Sequence, residues 1–162
     1  PWAELFDRVG MKSAVMERDD ENNFIASSYL HITPRDMAKL GLLFLNDGVW
    51  NKERILPQNW VFESTQIVPS FQQTPKNQDH EDLSPGYHLW VNRDDPQRGI
   101  KPALIDVPTG TYAALGHWGQ SMWMIPSSRI VVVRMADDRD KSFSSNRFLR
   151  LLLNSFGAGA ER

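Results

Sequence analysis

The sequence predicts an α+β fold, an antiparallel β-sheet flanked by helices. Three observations predict it. A capped helix with an apolar stripe stands early in the chain. Three short extended runs follow one another late in it, and a second apolar-striped helix closes it. No internal repeat interrupts this order.

Residues 1–8 read as a short amphipathic helix with Trp2, Leu5 and Phe6 on one side, stopped by Gly10 in the manner of a C-cap. Residues 17–24 are polar turn material. Ser27 and Ser28 then precede a short extended run, Tyr29-Leu30-His31-Ile32. The clearest helix opens at Thr33-Pro34-Arg35-Asp36. Thr33 can accept from free backbone N–H groups, Pro34 suits the first helical position, and Asp36 places negative charge in the first turn. Met37, Leu40 and Phe44 form its stripe, flanked by Leu42, Leu43 and Leu45, and Asn46-Asp47-Gly48 supplies the stop. A further short helix starts at Pro57 and carries Trp60, Val61 and Phe62. These helices read as core, with no functional role of their own.

Residues 66–85 are rich in Gln, Asp and Pro and read as a surface loop. Residues 87–91 alternate enough for a strand, and 92–110 form a second irregular stretch. Strands are predicted over 112–117, 120–125 and 130–135. The last two are joined by the polar turn Pro126-Ser127-Ser128-Arg129, which makes them an antiparallel hairpin. A final helix over 145–156 carries Phe148, Leu151, Leu152 and Phe156 on its apolar face.

At 162 residues and a formal net charge of −2, the chain has the length of one domain and lacks the basic balance that nucleic acid or an anionic membrane surface selects. No apolar run approaches membrane-spanning length, and the amino terminus is not signal-like. The absence of cysteine excludes disulfides and thiolate metal sites. The four histidines include no i,i+4 pair, and His80, beside Asp79, Glu81 and Asp82, reads as part of a solvated charge cluster. No metal and no cofactor is called for. The chain starts at Pro1 and enters helix-like sequence almost at once, which is the look of a fragment or a processed piece.

The segment that carries chemistry is Gly116-His117-Trp118-Gly119-Gln120. Glycine weakens a strand and marks places where a ligand or another backbone comes close. A histidine between two glycines at the head of a hairpin therefore trades sheet stability for an ionisable side chain. Local physics leaves a second reading open, in which His117 is a packed or half-exposed side chain and Gly119 marks a bulge. Trp90, Trp118 and Trp123 likewise fit either a cleft lining or a core.

Several segments, in order, resemble a known family. Leu5-Phe6-Asp7-Arg8-Val9-Gly10-Met11 is similar to its Leu-Phe-x-Pro-Leu-Gly-Met helix end. Ser27-Ser28-Tyr29-Leu30 with Thr33-Pro34-Arg35-Asp36-Met37-Ala38-Lys39-Leu40-Gly41 is similar to its Ser-Ser-Tyr … Thr-x-x-Asp-x-Ala-x-Phe-Gly helix. Asn46-Asp47-Gly48-Val49-Trp50, Ile55-Leu56-Pro57 and Trp60-Val61 continue in register, and His117-Trp118-Gly119-Gln120 stands where the family has Lys-Thr-Gly or His-x-Gly. The chain thus resembles the carboxyl-terminal half of serine hydrolases of the β-lactamase and penicillin-recognising family. It sits on the class C side, near its esterase and 6-aminohexanoate-dimer hydrolase-like members.

The resemblance implies the carboxyl-terminal portion of a β-lactamase/transpeptidase-like fold, one partial domain over 1–162, acting on a small-molecule ester or amide. It implies that the N–H of Gln120 donates to the oxyanion hole, that Gly119 keeps the strand edge clear, and that Trp118 lies beside the substrate. His117 would neighbour the catalytic hydroxyls, sharing a strand face with Gly119 while Trp118 points to the other. It favours a periplasmic or secreted protein over a cytoplasmic one. The family nucleophile, the serine of Ser-x-x-Lys, is missing: three residues before each lysine stand Val9, Asp36, Val49, Gln73, Arg98 and Asp138. Tyr-x-Asn is missing too, since Tyr29, Tyr87 and Tyr112 are followed two places on by His31, Leu89 and Ala114. In the family both motifs precede the helix with which this chain begins. The chain is therefore expected to be inactive alone, with a missing amino-terminal half as its partner. The alternative is a non-catalytic penicillin-recognising-like binding protein for a peptide or glycan. Because Trp118 offers no hydroxyl in the middle of the motif, neutral esters or amides are expected to be preferred over β-lactams.

Overall fold

A five-stranded antiparallel sheet lies between two helices in the computed structural model, which describes residues 1–26, 28–71, 83–140 and 142–157. A π-helical turn (Trp2–Phe6) runs into α1 (Asp7–Val9), stopped by Gly10 at a left-handed φ of 75°. β1 (Val15–Met16) pairs with β2 (Leu30–His31), and α2 spans Pro34–Leu45. β3 (Val49–Trp50) pairs with β4 (Glu53–Arg54), and α3 (Trp60–Ser64) follows. β5 (Ser84–Pro85), β6 (Trp90–Asn92), β7 (Thr111–Leu115), β8 (Ser121–Ile125) and β9 (Ile130–Arg134) then form the sheet in chain order. α4 (Ser145–Ser155) closes the chain.

The pleat sorts the sheet residues into two cores. Val91, Tyr112, Met122 and Met124 pack with Met37, Leu40 and Phe44 of α2. Ala113, Trp123, Ile125 and Val132 face the other way, onto Leu149 and Leu153 of α4. Gly41 lets α2 settle on β9: a Cβ there would stand 2.5 Å from a methyl of Val131. The outer side of α2 is also covered, because Leu43 is buried with Phe6, Val9 and Met11 of the amino-terminal segment. That explains why the apolar residues of α2 exceed a single stripe.

The amino-terminal segment is tied to α2 through Asp36. One carboxylate oxygen accepts from the Ser13 N–H (2.8 Å) and hydroxyl (2.7 Å), and the other from the Lys39 ammonium (2.7 Å). Thr33 caps the helix by accepting from the Asp36 N–H at 3.4 Å. The bond from Lys39, then those from Ser13, hold the Asp36 carboxyl down to about 2 from its ordinary 3.8. Stability from a depressed carboxyl is complete above the unfolded value and is lost as pH falls through the folded one. The melting temperature is therefore expected to fall between pH about 4 and about 2. Thermal melts should show a shallower fall in this window for Asp36→Asn, which starts lower at pH 7. Asp19, Asp95 and Asp140, each held low by local hydrogen bonds, sustain part of the slope in both proteins.

Several sequence expectations need correction. Trp60 and Phe62 are not core: they are 49% and 60% exposed, and only Val61 of that trio turns inward. On α4 the stripe is Phe148, Leu149, Leu152 and Leu153, at i, i+1, i+4 and i+5, while Leu151 and Phe156 face outward. The strand expected over 87–91 starts only at Trp90. His88 takes a left-handed φ of 64°, and the Gly86 N–H bonds the Leu89 carbonyl at 2.6 Å, closing a tight turn. The loops are less superficial than their composition suggests, since Ile67, Ile100, Leu104 and Val107 are all buried. Ser27 and the His80 charge cluster lie outside the described residues. No helix among the described residues is long and apolar enough to cross a membrane.

Candidate active-site turn

β7 and β8 run antiparallel to a last pair, Leu115 opposite Ser121, and the five residues between them make the turn. The expectation that His117, Trp118 and Gly119 lie in a pleated strand is not met. They form one 3₁₀ turn, with Trp118 at φ 54°, ψ 36° and Gly119 at φ 83°. No alternation of faces exists there: His117 and Trp118 lie side by side, ring centroids 4.5 Å apart, and both are exposed. The turn is closed by the Gly116 N–H donating to the Gln120 carbonyl at 2.8 Å.

A left-handed tryptophan is costly for its backbone and persists only where the surroundings over-determine it. The segment after β9 provides this. The Asp138 N–H donates to the Trp118 carbonyl at 2.9 Å, and Arg134 Nη1 donates to the Gly119 carbonyl at 3.0 Å. The Arg139 guanidinium lies 3.9 Å from the centre of the Trp118 ring, while Arg134 itself rests on Phe143 at 3.6 Å. The space beside Gly119, expected to be clear for substrate, is taken: a Cβ there would stand 2.4 Å from Arg134 Nη1 and 3.0 Å from Asp138 Cβ. The left-handed φ is what favours glycine at 119, and a Cβ there would in addition push the Arg134 guanidinium off the Gly119 carbonyl.

Gln120 is split between two tasks. Its side-chain amide pairs with the backbone of Ala136, receiving that N–H at 3.2 Å and donating to that carbonyl. Its own N–H points back to the His117 carbonyl at 3.4 Å, at the long end of hydrogen bonding. A bond that long is readily exchanged for one to an incoming oxygen. His117 and Trp118, first in the helical turn, have no acceptor for their N–H groups within it. The turn thus offers backbone donors at a solvent-facing edge.

Its electrostatic rim is mixed. Arg134 pairs with Asp138 at 3.4 Å and Arg139 with Asp137 at 2.7 Å, and Asp140 follows directly in the chain as a third carboxylate. The Ser142 N–H and hydroxyl hold the Asp140 carboxyl below its usual range. These bracing residues, Arg134, Ala136, Asp138 and Arg139, escaped the sequence reading because nothing local ties them to a turn 15 to 21 positions earlier. Of the three tryptophans weighed as cleft or core, Trp123 is buried, Trp90 is partly buried and Trp118 is 45% exposed. No group of three or more His, Cys, Asp or Glu placed to hold a metal ion occurs among the described residues.

Comparison with known proteins agrees with this architecture. Residues 4–155 match the family model described as Beta-lactamase. An uncharacterized protein of Alkalihalophilus pseudofirmus is 29% identical over 105 residues, covering 65% of this chain and 29% of that protein. Among solved structures, a Bacillus anthracis protein assigned by name to 6-aminohexanoate-dimer hydrolase superposes with a TM-score of 0.64 at 21% identity, covering 97% of this chain and 36% of that one. A Bacteroides dorei protein assigned by name to the β-lactamases superposes with a TM-score of 0.57 at 15% identity, covering 94% of this chain and 49% of that one. The chain therefore spans between about a third and a half of the proteins it matches. The family model reaches from the amino-terminal helical turn through α4 and takes in the 116–120 turn, so the chain belongs to the beta-lactamase family.

Proposed function

We propose that residues 1–162 form the carboxyl-terminal part of a serine hydrolase that cleaves a small ester or amide through an acyl-enzyme. In this reading the 116–120 turn is one wall of the active site. The Gln120 N–H leaves the His117 carbonyl to hold the negative charge that develops on the attacked carbonyl oxygen. His117 stands as a hydrogen-bond partner near the reacting hydroxyls, and Trp118 flanks the substrate. The observation that carries the reading is the strained turn itself. A left-handed tryptophan and a left-handed glycine, clamped by Arg134, Asp138 and Arg139, hold a short run of backbone in place at an open edge. The serine and lysine would come from sequence beyond these residues, since no Ser-x-x-Lys occurs within them.

The rim bears on substrate choice. Each of the two guanidiniums is paired, and Asp140 adds a further negative charge. Among the described residues a substrate carboxylate would meet no unpaired cation there, forgoing a charge-assisted bond of about 1.5–3 kcal/mol, roughly ten- to a hundredfold in affinity. The full-length enzyme is expected to prefer neutral esters or amides. The ratio of kcat/KM for a short-chain p-nitrophenyl ester to that for a chromogenic cephalosporin should exceed one. A ratio below one overturns this preference. The absence of Ser-x-x-Lys here also suits a non-catalytic protein that binds a peptide or glycan, and that reading predicts no turnover of either substrate.

A further inference from the structure

A pocket of about 510 Å³ opens where α3 and the tight turn before β6 meet the end of α2. The size is that of small-molecule sites, roughly 300–1,000 Å³. Three aromatic side chains line it: Phe44 from α2, Trp60 from α3 and Tyr87 from the turn. Trp60 and Tyr87 are 49% and 50% exposed, although α3 and the turn are firmly placed, the Tyr87 N–H donating to the Ser64 carbonyl at 3.0 Å. Among the described residues the titratable groups in the wall are Glu63, Tyr87 and His88. The Glu63 carboxylate has no hydrogen-bond or ion-pair partner among the described residues, in contrast to Asp36, Asp95 and Asp138.

From this chemistry we infer that the pocket is a binding site for a small organic cation with an alkylated ammonium head. Aromatic faces attract a cation through the ring quadrupole, most strongly at Trp, and the unpaired carboxylate adds charge complementarity. The wall is mostly carbon. A tetraalkylammonium has no N–H to satisfy and is cheaper to desolvate than a primary ammonium, which suits a wall whose one charged acceptor among the described residues is a carboxylate. The site does not depend on catalysis at the 116–120 turn.

The test is titration of the full-length protein with choline and, at equal ionic strength, with its neutral isostere 3,3-dimethylbutanol, read by calorimetry or ligand-observed NMR. Choline should bind about tenfold more tightly than the isostere. Glu63→Gln and Trp60→Ala, both at exposed positions and so compatible with folding, should each weaken choline about five- to tenfold with an unchanged circular-dichroism spectrum. Absence of saturable choline binding, equal binding of the neutral isostere, or choline binding untouched by both variants overturns the assignment. None of these results bears on the esterase reading, because no turnover is measured.

Discussion

Replacing Gln120 by proline is expected to lower kcat of the full-length enzyme by about 10²–10³-fold, the usual effect of removing one oxyanion-hole donor. Gln120 has φ −60° and ψ 128°, values that proline adopts, although its ring would take the place of the N–H that now faces the His117 carbonyl and would push that carbonyl aside. The substitution deletes the N–H but also the side-chain amide that pairs with Ala136. Gln120→Ala separates the two, since it loses the same amide and keeps the N–H. Steady-state kinetics on both variants should give an alanine enzyme within about tenfold of wild type and a proline enzyme far below it, the difference belonging to the N–H and its junction with the His117 carbonyl. Equal activities would remove the Gln120 N–H from the mechanism and leave only its bracing role.

The largest expected stability effect lies away from the turn, at Asn92. This residue of β6 is fully buried, and its side chain makes three bonds to one loop: Nδ2 donates to the Leu104 and Val107 carbonyls at 3.1 and 3.3 Å, and Oδ1 accepts from the Leu104 N–H at 2.9 Å. Those bonds let an irregular stretch bury Leu104 and Val107 against α4 without stranding its backbone. Asn92→Ala removes all three partners at once. With about 1–3 kcal/mol for a buried group left unpaired, and partial relief as the loop shifts, the loss should be about 3 kcal/mol. For a chain of this size that is a melting-temperature drop of about 10 °C, read by circular dichroism. A loss below about 1 kcal/mol would mean that the loop finds other partners.

What could be read from the sequence divides along the range of the forces involved. α2 starts at Pro34 as expected because its signals are local, a threonine cap, a proline at the first position and an acid in the first turn. The Pro126–Ser128 turn and the strands around it are likewise legible, since a polar break between two apolar runs needs no distant information. The backbone of the candidate site was not legible. Nothing near Trp118 announces a left-handed residue. That state is held by Asp138, Arg134 and Arg139, which reach it only after the chain has completed the β8–β9 hairpin. The apolar face of α4 was half legible for a related reason. With apolar residues at 148, 149, 151, 152, 153 and 156, periodicity permits more than one stripe, and the register of the sheet beneath selects 149 and 153.

The central claim is that this chain is the carboxyl-terminal part of an acyl-enzyme hydrolase whose nucleophile lies outside it. The most direct measurement is covalent labelling of the full-length protein with a fluorophosphonate, followed by mass spectrometry of the modified peptide. A single labelled serine in a Ser-x-x-Lys segment upstream of Pro1, with residues 1–162 alone unlabelled, is the predicted result. A label on any serine within residues 1–162, or no label on the full-length protein, would contradict it.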